Sequence, residues 1–226
     1  MIGVTIGIGP GWQACAERAA TQMAAMTGLS CHVVTRPHHT TEVAHPSWLK
    51  CWITEMFPAE DAFLLFDADI LPLRPWDPDG IFHKLGRPFL AVPEDNTPPV
   101  FNECRRYQLP PWDWYVNGGL TIFGHEHAPI WRAVWKRHPG YGSWLEQTAL
   151  NHVLLESGTP VCRLPRQFNQ LLHGRLDLAV PMANSGQYIN LHADSLGGDA
   201  SRLATLQDTL FGLAVAPSRP LAVSLL

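Results

Sequence analysis

A chain of 226 residues that is 46% hydrophobic and 16% charged carries enough apolar material for a substantial core and too little charge for a disordered polymer. Sixteen basic against twenty acidic residues leave a net charge of −4 with no basic run, which argues against a nucleic-acid surface, and no apolar stretch is long enough to span a bilayer. Five scattered cysteines without a C-x-x-C pair read as reduced core thiols, and residues 1–11 lack a basic start and a cleavage pattern, so the expectation is a soluble, cytoplasmic protein.

In chain order, residues 2–8 (IGVTIGI) read as a strand, Trp12–Thr27 as a helix stopped by Gly28, and Cys31–Thr35 as a second strand. Pro46–Phe57 places apolar residues at 48, 49, 52, 53, 56 and 57, a helical stripe with a proline near its start. The apolar run Ala62–Phe66 is a third strand. This alternation predicts a parallel sheet covered by helices, an α/β fold whose ligands collect beyond the carboxyl ends of the strands. Further strands are expected at Phe89–Val92, Val116–Phe123 and Gln187–His192, and helices at Pro129–Arg137, Trp144–Leu155 and Ala200–Phe211. Residues 93–114, crowded with prolines and aromatics, read as a long ordered loop, and 216–226 carry little signal. The expected organisation is a single domain over 1–226, closed by a C-terminal helix and tail over about 196–226.

The first turn, Gly7-Ile8-Gly9-Pro10-Gly11-Trp12, imitates a dinucleotide fingerprint but puts Trp12 where the third glycine belongs. Gly9 and Trp12 remain candidates for a nucleotide base, with Trp12 packing on the sheet as the plainer alternative. More telling is FLLFDADILPL (63–73), where a buried strand ends in Asp67-Ala68-Asp69. Two carboxylates at that spacing repel, and partial burial is costly unless a cation or strong donors compensate. The expected compensator is a bound divalent metal. His125-Glu126-His127 is a weaker metal signal, because side chains two apart diverge on a helix.

Four further segments resemble, in order and spacing, the metal-dependent glycosyltransferases of GT-A fold, specifically the glycogenin-like family 8 and related retaining galactosyl- and xylosyltransferases. HPSWLKCWITEMFPAEDAFLLFDADILPL resembles their run of lysine, amphipathic helix, proline, strand and D-x-D, with Lys50 at the lysine close to the donor. YVNGGLTIF (115–123) resembles the strand that sets Asn117, Gly118 and Gly119 beside the donor sugar. WLEQTALNHVL (144–154) resembles the D-Q-x-x-L-N helix, with Glu146 in place of Asp followed by Gln147, and YINLHAD (188–194) resembles a late strand ending in a metal-binding histidine, His192.

The resemblance implies a GT-A (nucleotide-diphospho-sugar transferase) fold with a central, mostly parallel sheet flanked by helices, its nucleotide-binding half over about 1–75 and its donor-sugar and acceptor half over about 76–195. It implies transfer from a nucleotide-sugar, UDP-linked, to a hydroxyl acceptor with retention. Asp67, Asp69 and His192 would hold Mn²⁺ or Mg²⁺, a choice that suits two carboxylates and an imidazole. Asp67 would also reach the ribose, while Asn117, Glu146 and Gln147 would orient the sugar. The family's H-x-x-G-x-x-K clamp is out of register in His192-Ala-Asp-Ser-Leu-Gly-Gly-Asp-Ala-Ser-Arg202, where Gly197-Gly198, Arg202 or Lys50 would have to substitute. PRQFNQLL (165–172) resembles the L-P-x-x-F-N segment, with Asn169 tying down a loop, and Trp112 and Trp114 are candidates for stacking on an acceptor. The alternatives are a haloacid-dehalogenase-type phosphatase, which also uses F-D-x-D, and a non-catalytic binder of sugar nucleotides.

Overall fold

Strand β3 (Ala62–Phe66) is buried along its whole length, and alternate side chains feed two different cores. Phe63 and Leu65 join one apolar layer, and Ala62, Leu64 and Phe66 join the other, the period of two expected of a strand covered on both faces. In the computed structural model, which describes residues 1–36, 45–95, 97–109, 114–138, 145–194 and 199–213, β3 lies inside a six-stranded sheet. Its partners are β1 (Ile2–Ile6), β2 (Cys31–Val34), β5 (Phe89–Pro93), β6 (Val116–Gly124) and β7 (Val161–Arg163), in the order β2-β1-β3-β6-β5-β7. Every neighbouring pair is parallel except those made by β6, which runs against both β3 and β5. The mostly parallel sheet expected from the sequence is present.

Helix α1 (Pro10–Thr27) buries Cys15, Ala16, Ala19, Ala20 and Met23, a stripe of small residues that lets it lie close to the sheet. Close approach begins at Gly7, where an added Cβ would come within 2.6 Å of the Ala16 Cβ and 2.7 Å of the Trp12 carbonyl. On the opposite face, α5 (Ala128–Trp135) and α6 (Leu145–Ser157) pack through Trp131, Val134, Leu150 and Val153. A second, three-stranded sheet, β4-β9-β8, joins β4 (Ile70–Pro72) antiparallel to β9 (Asn190–His192) and β8 (Gln170–Leu171) parallel to it. Helices α7 (Ala179–Ser185) and α8 (Ala200–Leu213) contribute to the apolar cluster around this small sheet.

Several expectations are corrected. Pro46–Phe57 is not one α-helix: Pro46–Trp52 winds as a 3₁₀ helix capped by His45, whose Nδ1 accepts the Ser47 N–H at 3.2 Å, and only Ile53–Met56 (α2) is α-helical. Trp48, Leu49, Lys50 and Cys51 are consecutive buried residues, a pattern broader than the single inward stripe of an α-helix. Residues 93–114 are not all loop, because Pro98–Arg106 forms α4 and buries Val100, Glu103 and Cys104 at helical spacing. Its prolines occupy the first turn, where the missing N–H costs nothing. The expected strand 187–192 shortens to Asn190–His192, and the sequence reading missed β4, β7, β8, α7 and α3 (Pro78–Lys84), the last capped by Asp77 accepting from Gly80 N at 2.8 Å. The readings that touched Trp112, Trp144, Gly197, Gly198 and 216–226 lie outside the described residues.

Candidate active site

The acidic doublet is the crossing between the two sheets. Asp67 N–H donates to Gly119 O at 2.8 Å, extending the β3–β6 ladder by one step. Ile70 N–H closes the turn on Asp67 O at 3.1 Å, and Ala193 N–H, just beyond β9, donates to Asp69 O at 2.9 Å. The pairing of β4 with β9 sets Ile70 opposite His192, so the imidazole arrives beside Asp69 through strand register.

One ligand atom from each of Asp67, Asp69 and His192 can be chosen so that all three lie within 4.8 Å of one another. His192 Nε2 stands 3.2 Å from Asp69 Oδ1, and its buried Nδ1 has no hydrogen-bond partner. Gly119 makes room for the ring: a Cβ there would overlap His192 Cε1. Two carboxylate groups and an imidazole with a spare buried nitrogen fit a borderline divalent cation.

The doublet also has counter-charges of its own, which revises the expectation that only an ion from outside balances it. Lys50 Nζ, 3% exposed, lies 2.7 Å from Asp67 Oδ1, 2.8 Å from Glu146 Oε1 and 3.0 Å from Gly118 O. Those three acceptors match the three protons of an ammonium. Burial works against the charged lysine, but Asp67 and Glu146 outweigh it and hold Lys50 above its ordinary value. Burial would also raise Glu146, yet Lys50 brings that carboxyl below its usual range. Asp67 stays above it, through burial and the neighbouring Asp69 charge. For Asp69 burial is overcome by the charge and hydrogen bond of His192, which leave it low.

His192 itself is raised from 6.5 to about 9, since the attraction of Asp69 and Asp67 exceeds the burial penalty. A raised folded value stabilises the protein below 6.5, and that stability is lost as pH climbs through about 9. In metal-free protein the melting temperature of wild type is therefore expected to fall relative to His192→Gln between those two values. Parallel melting curves for the two proteins across that range check the effect. Because a metal must displace the imidazole proton, Mn²⁺ affinity is expected to rise over the same interval.

A second group of side chains sits one strand further along. Asn117 Nδ2 and Gln147 Nε2 both donate to Glu94 Oε2, at 2.6 and 3.0 Å. Their oxygens accept backbone N–H groups, Asn117 Oδ1 from Gly119 at 2.7 Å and Gln147 Oε1 from Gly118 at 2.7 Å. Asn169 Nδ2 adds a 2.8 Å bond to Asn117 Oδ1, so it does tie down a loop, and to the site itself. Glu94 is 3% exposed, and its other oxygen accepts Asp95 N–H at 3.0 Å. The sequence reading missed Glu94, although it repeats the signal noticed at β3: a buried strand (β5) that runs into an acidic residue.

The remaining candidates separate. Gly9 caps α1 with φ 91°, and Trp12 packs, half-buried, against the apolar cluster around the small sheet that includes Leu71, Leu73, Leu172 and Leu203. Trp114 is partly buried against the core that includes Trp48 and Trp131. His125-Glu126-His127 gathers no metal-ligand set among the described residues: Glu126 pairs with Arg87, and His127 Nδ1 accepts from Gly124 N at 3.1 Å. Among the described residues no helix is long and apolar enough to cross a membrane.

No protein-family model and no curated sequence matches the chain. Solved structures do. A glycosyltransferase involved in glycosylating the major capsid of PBCV-1 superposes with a TM-score of 0.61 at 15% identity, over 93% of this chain and 100% of that one. The galactosyltransferase LgtC, crystallised with donor and acceptor sugar analogues, superposes with a TM-score of 0.58 at 14% identity, over 92% and 96%. The glycosyltransferase GlyE of Streptococcus pneumoniae gives 0.58 at 12% identity, over 96% of this chain and 65% of that one. The fold is that of the GT-A glycosyltransferases.

Proposed function

We propose that this chain is a metal-dependent glycosyltransferase that moves a sugar from a nucleotide-sugar donor, a UDP-sugar, to a carbohydrate or other hydroxyl acceptor with retention. The observation that carries the reading is the Asp67–Asp69–His192 donor set at the end of β3, beside the buried Asn117 amide and the half-buried Gln147 amide, in a GT-A fold. A divalent cation held by those three residues, Mn²⁺ or Mg²⁺, supplies Lewis-acid stabilisation of the charge that grows on the departing diphosphate.

The chain's own residues do the positioning. The amide nitrogens of Asn117 and Gln147 each give one proton to Glu94, and Gln147 also hydrogen-bonds the Tyr115 hydroxyl; we assign the second proton of Asn117 to the donor sugar. Glu94 also places negative charge near the centre where an oxocarbenium-like sugar develops. Lys50 directs its protons to Asp67, Glu146 and Gly118, so its part in donor binding is to hold that wall in place, and Glu146 acts through it. Gly118 and Gly119 bring backbone close to the donor, and Gly9 and Trp12, at the start of α1, are assigned to the nucleotide. In a retaining transfer the departing phosphate takes the acceptor proton, so the reading needs no dedicated base.

A thermal-shift panel of nucleotide sugars with and without Mn²⁺ tests the proposal. A rise in Tm for UDP-sugars that requires Mn²⁺ is the expected result, and indifference to every nucleotide under both conditions would sink it. Binding without transfer over a broad acceptor panel would leave a non-catalytic binder, and release of phosphate from simple monoesters would point to a phosphatase. Glu94→Gln is expected to lower kcat by about 100-fold with little change in KM, because one oriented amide pair is lost while the metal set is untouched. Steady-state kinetics on that variant decide it.

A further inference from the structure

Gln207 lies on α8, far along the chain from the doublet, yet it is fully buried and reaches it. Its Nε2 donates to Ala68 O at 3.3 Å, the carbonyl between the two aspartates, and to Cys15 O on α1 at 3.0 Å. Both partners are carbonyls, so only the amide nitrogen can face them, and the orientation follows from chemistry. Two further contacts dock the start of α8 against α1: Cys15 Sγ lies 3.4 Å from Ala200 O, and a Cβ on Gly11 would touch Ala200 at 3.1 Å. Helix α8 also follows His192 closely in the chain. It is therefore joined covalently to one member of the donor set and by hydrogen bond to the turn that carries the other two.

We propose that α8 is a working part of the metal centre and that Gln207 is a positioning residue, holding the Ala68 peptide so that Asp67 and Asp69 project toward His192. The proposal rests on the metal-binding reading above. Outer-shell partners of this kind set ligand direction more than they set overall stability. Leu210, buried on the same helix in the apolar cluster that docks α8, touches neither the turn nor the carboxylates in any described hydrogen bond, and serves as the comparison.

The test uses full-length Gln207→Met, similar in length but without donors, beside Leu210→Ala. Mn²⁺ alone is titrated by electron paramagnetic resonance, and amide exchange is followed at Ile70, whose N–H closes the doublet turn, in metal-free protein. Gln207→Met is expected to weaken Mn²⁺ binding by about tenfold or more and to speed Ile70 exchange. Leu210→Ala is expected to lower Tm with Mn²⁺ affinity near that of wild type. Unchanged affinity in Gln207→Met, or an equal loss in Leu210→Ala, overturns the proposal. Should Gln207→Met fail to fold, Gln207→Asn, which keeps an amide too short to reach both carbonyls, gives the same reading. A wild type that binds no Mn²⁺ refutes the metal reading instead, and Ile70 exchange then judges the latch: faster exchange in Gln207→Met upholds it and unchanged exchange overturns it.

Discussion

Asp69→Asn is expected to abolish specific Mn²⁺ binding, with affinity falling by more than about 100-fold, beyond what an outer-shell change produces. Asp69 is the carboxylate kept ionised by His192, and the amide removes both its charge and one ligand oxygen. Relief of repulsion with Asp67 alone would make the metal-free variant more stable than wild type. The geometry predicts the opposite at neutral and mildly acid pH, because His192 loses the partner that stabilises its proton. The cost should be about 1–3 kcal/mol at pH 6 and should shrink above about 9, where wild-type His192 is neutral as well. Calorimetric melting of the two proteins across that range measures the gap, and a gap that stays constant would contradict the assigned pairing. His192→Ala should weaken Mn²⁺ less than Asp69→Asn, since it leaves both negative charges in place.

The largest stability effect is expected at Lys50. Lys50→Met leaves Asp67 and Glu146 facing each other with no cation between them, and removing one partner of a buried ionic group costs about 3–5 kcal/mol. At roughly 2–4 °C of Tm per kcal/mol for a chain of this size, the fall should be on the order of 10 °C. Adding Glu146→Gln to that variant should restore part of the loss by deleting the second stranded charge. Acidification should also narrow the difference from wild type, because protonating the carboxylates removes what Lys50 was neutralising. Denaturant unfolding of the two single variants and the double variant provides the cycle that measures the coupling. If Lys50→Met melts like wild type, the buried ammonium is not what organises Asp67 and Glu146.

The long elements were legible because each announces a period. β3 alternates between two cores, and α1 repeats its small buried residues at helical spacing, so their places and the parallel order followed from pattern alone. Strands of two or three residues such as β4, β7 and β8 are too short to show a period; they exist because a neighbour pairs with them. Helix α4 was hidden by Pro98 and Pro99, which mark a helix start as readily as a loop. The doublet could be read from its cost, but the relief of that cost could not. Lys50 stands 17 residues before Asp67 and 96 before Glu146, so the chain's own counter-charge shows only after folding. The separation of Glu94 from its partners hid it in the same way, 23 residues from Asn117 and 53 from Gln147.

Asn151, one turn along α6 from Gln147, accepts Val116 N–H at 2.7 Å and returns a bond to Val116 O at 2.9 Å, while a third bond reaches Gln147 O at 2.9 Å. A side-chain amide that satisfies both polar groups of one backbone residue does the work of a missing strand, at the place where the β5–β6 register shifts. Helix and strand are thereby riveted into one piece, and the gap between Asn117 and Gln147 behaves as a fixed gauge. If the donor sugar lies beside those amides, as proposed, that rigidity would turn away a sugar of the wrong stereochemistry.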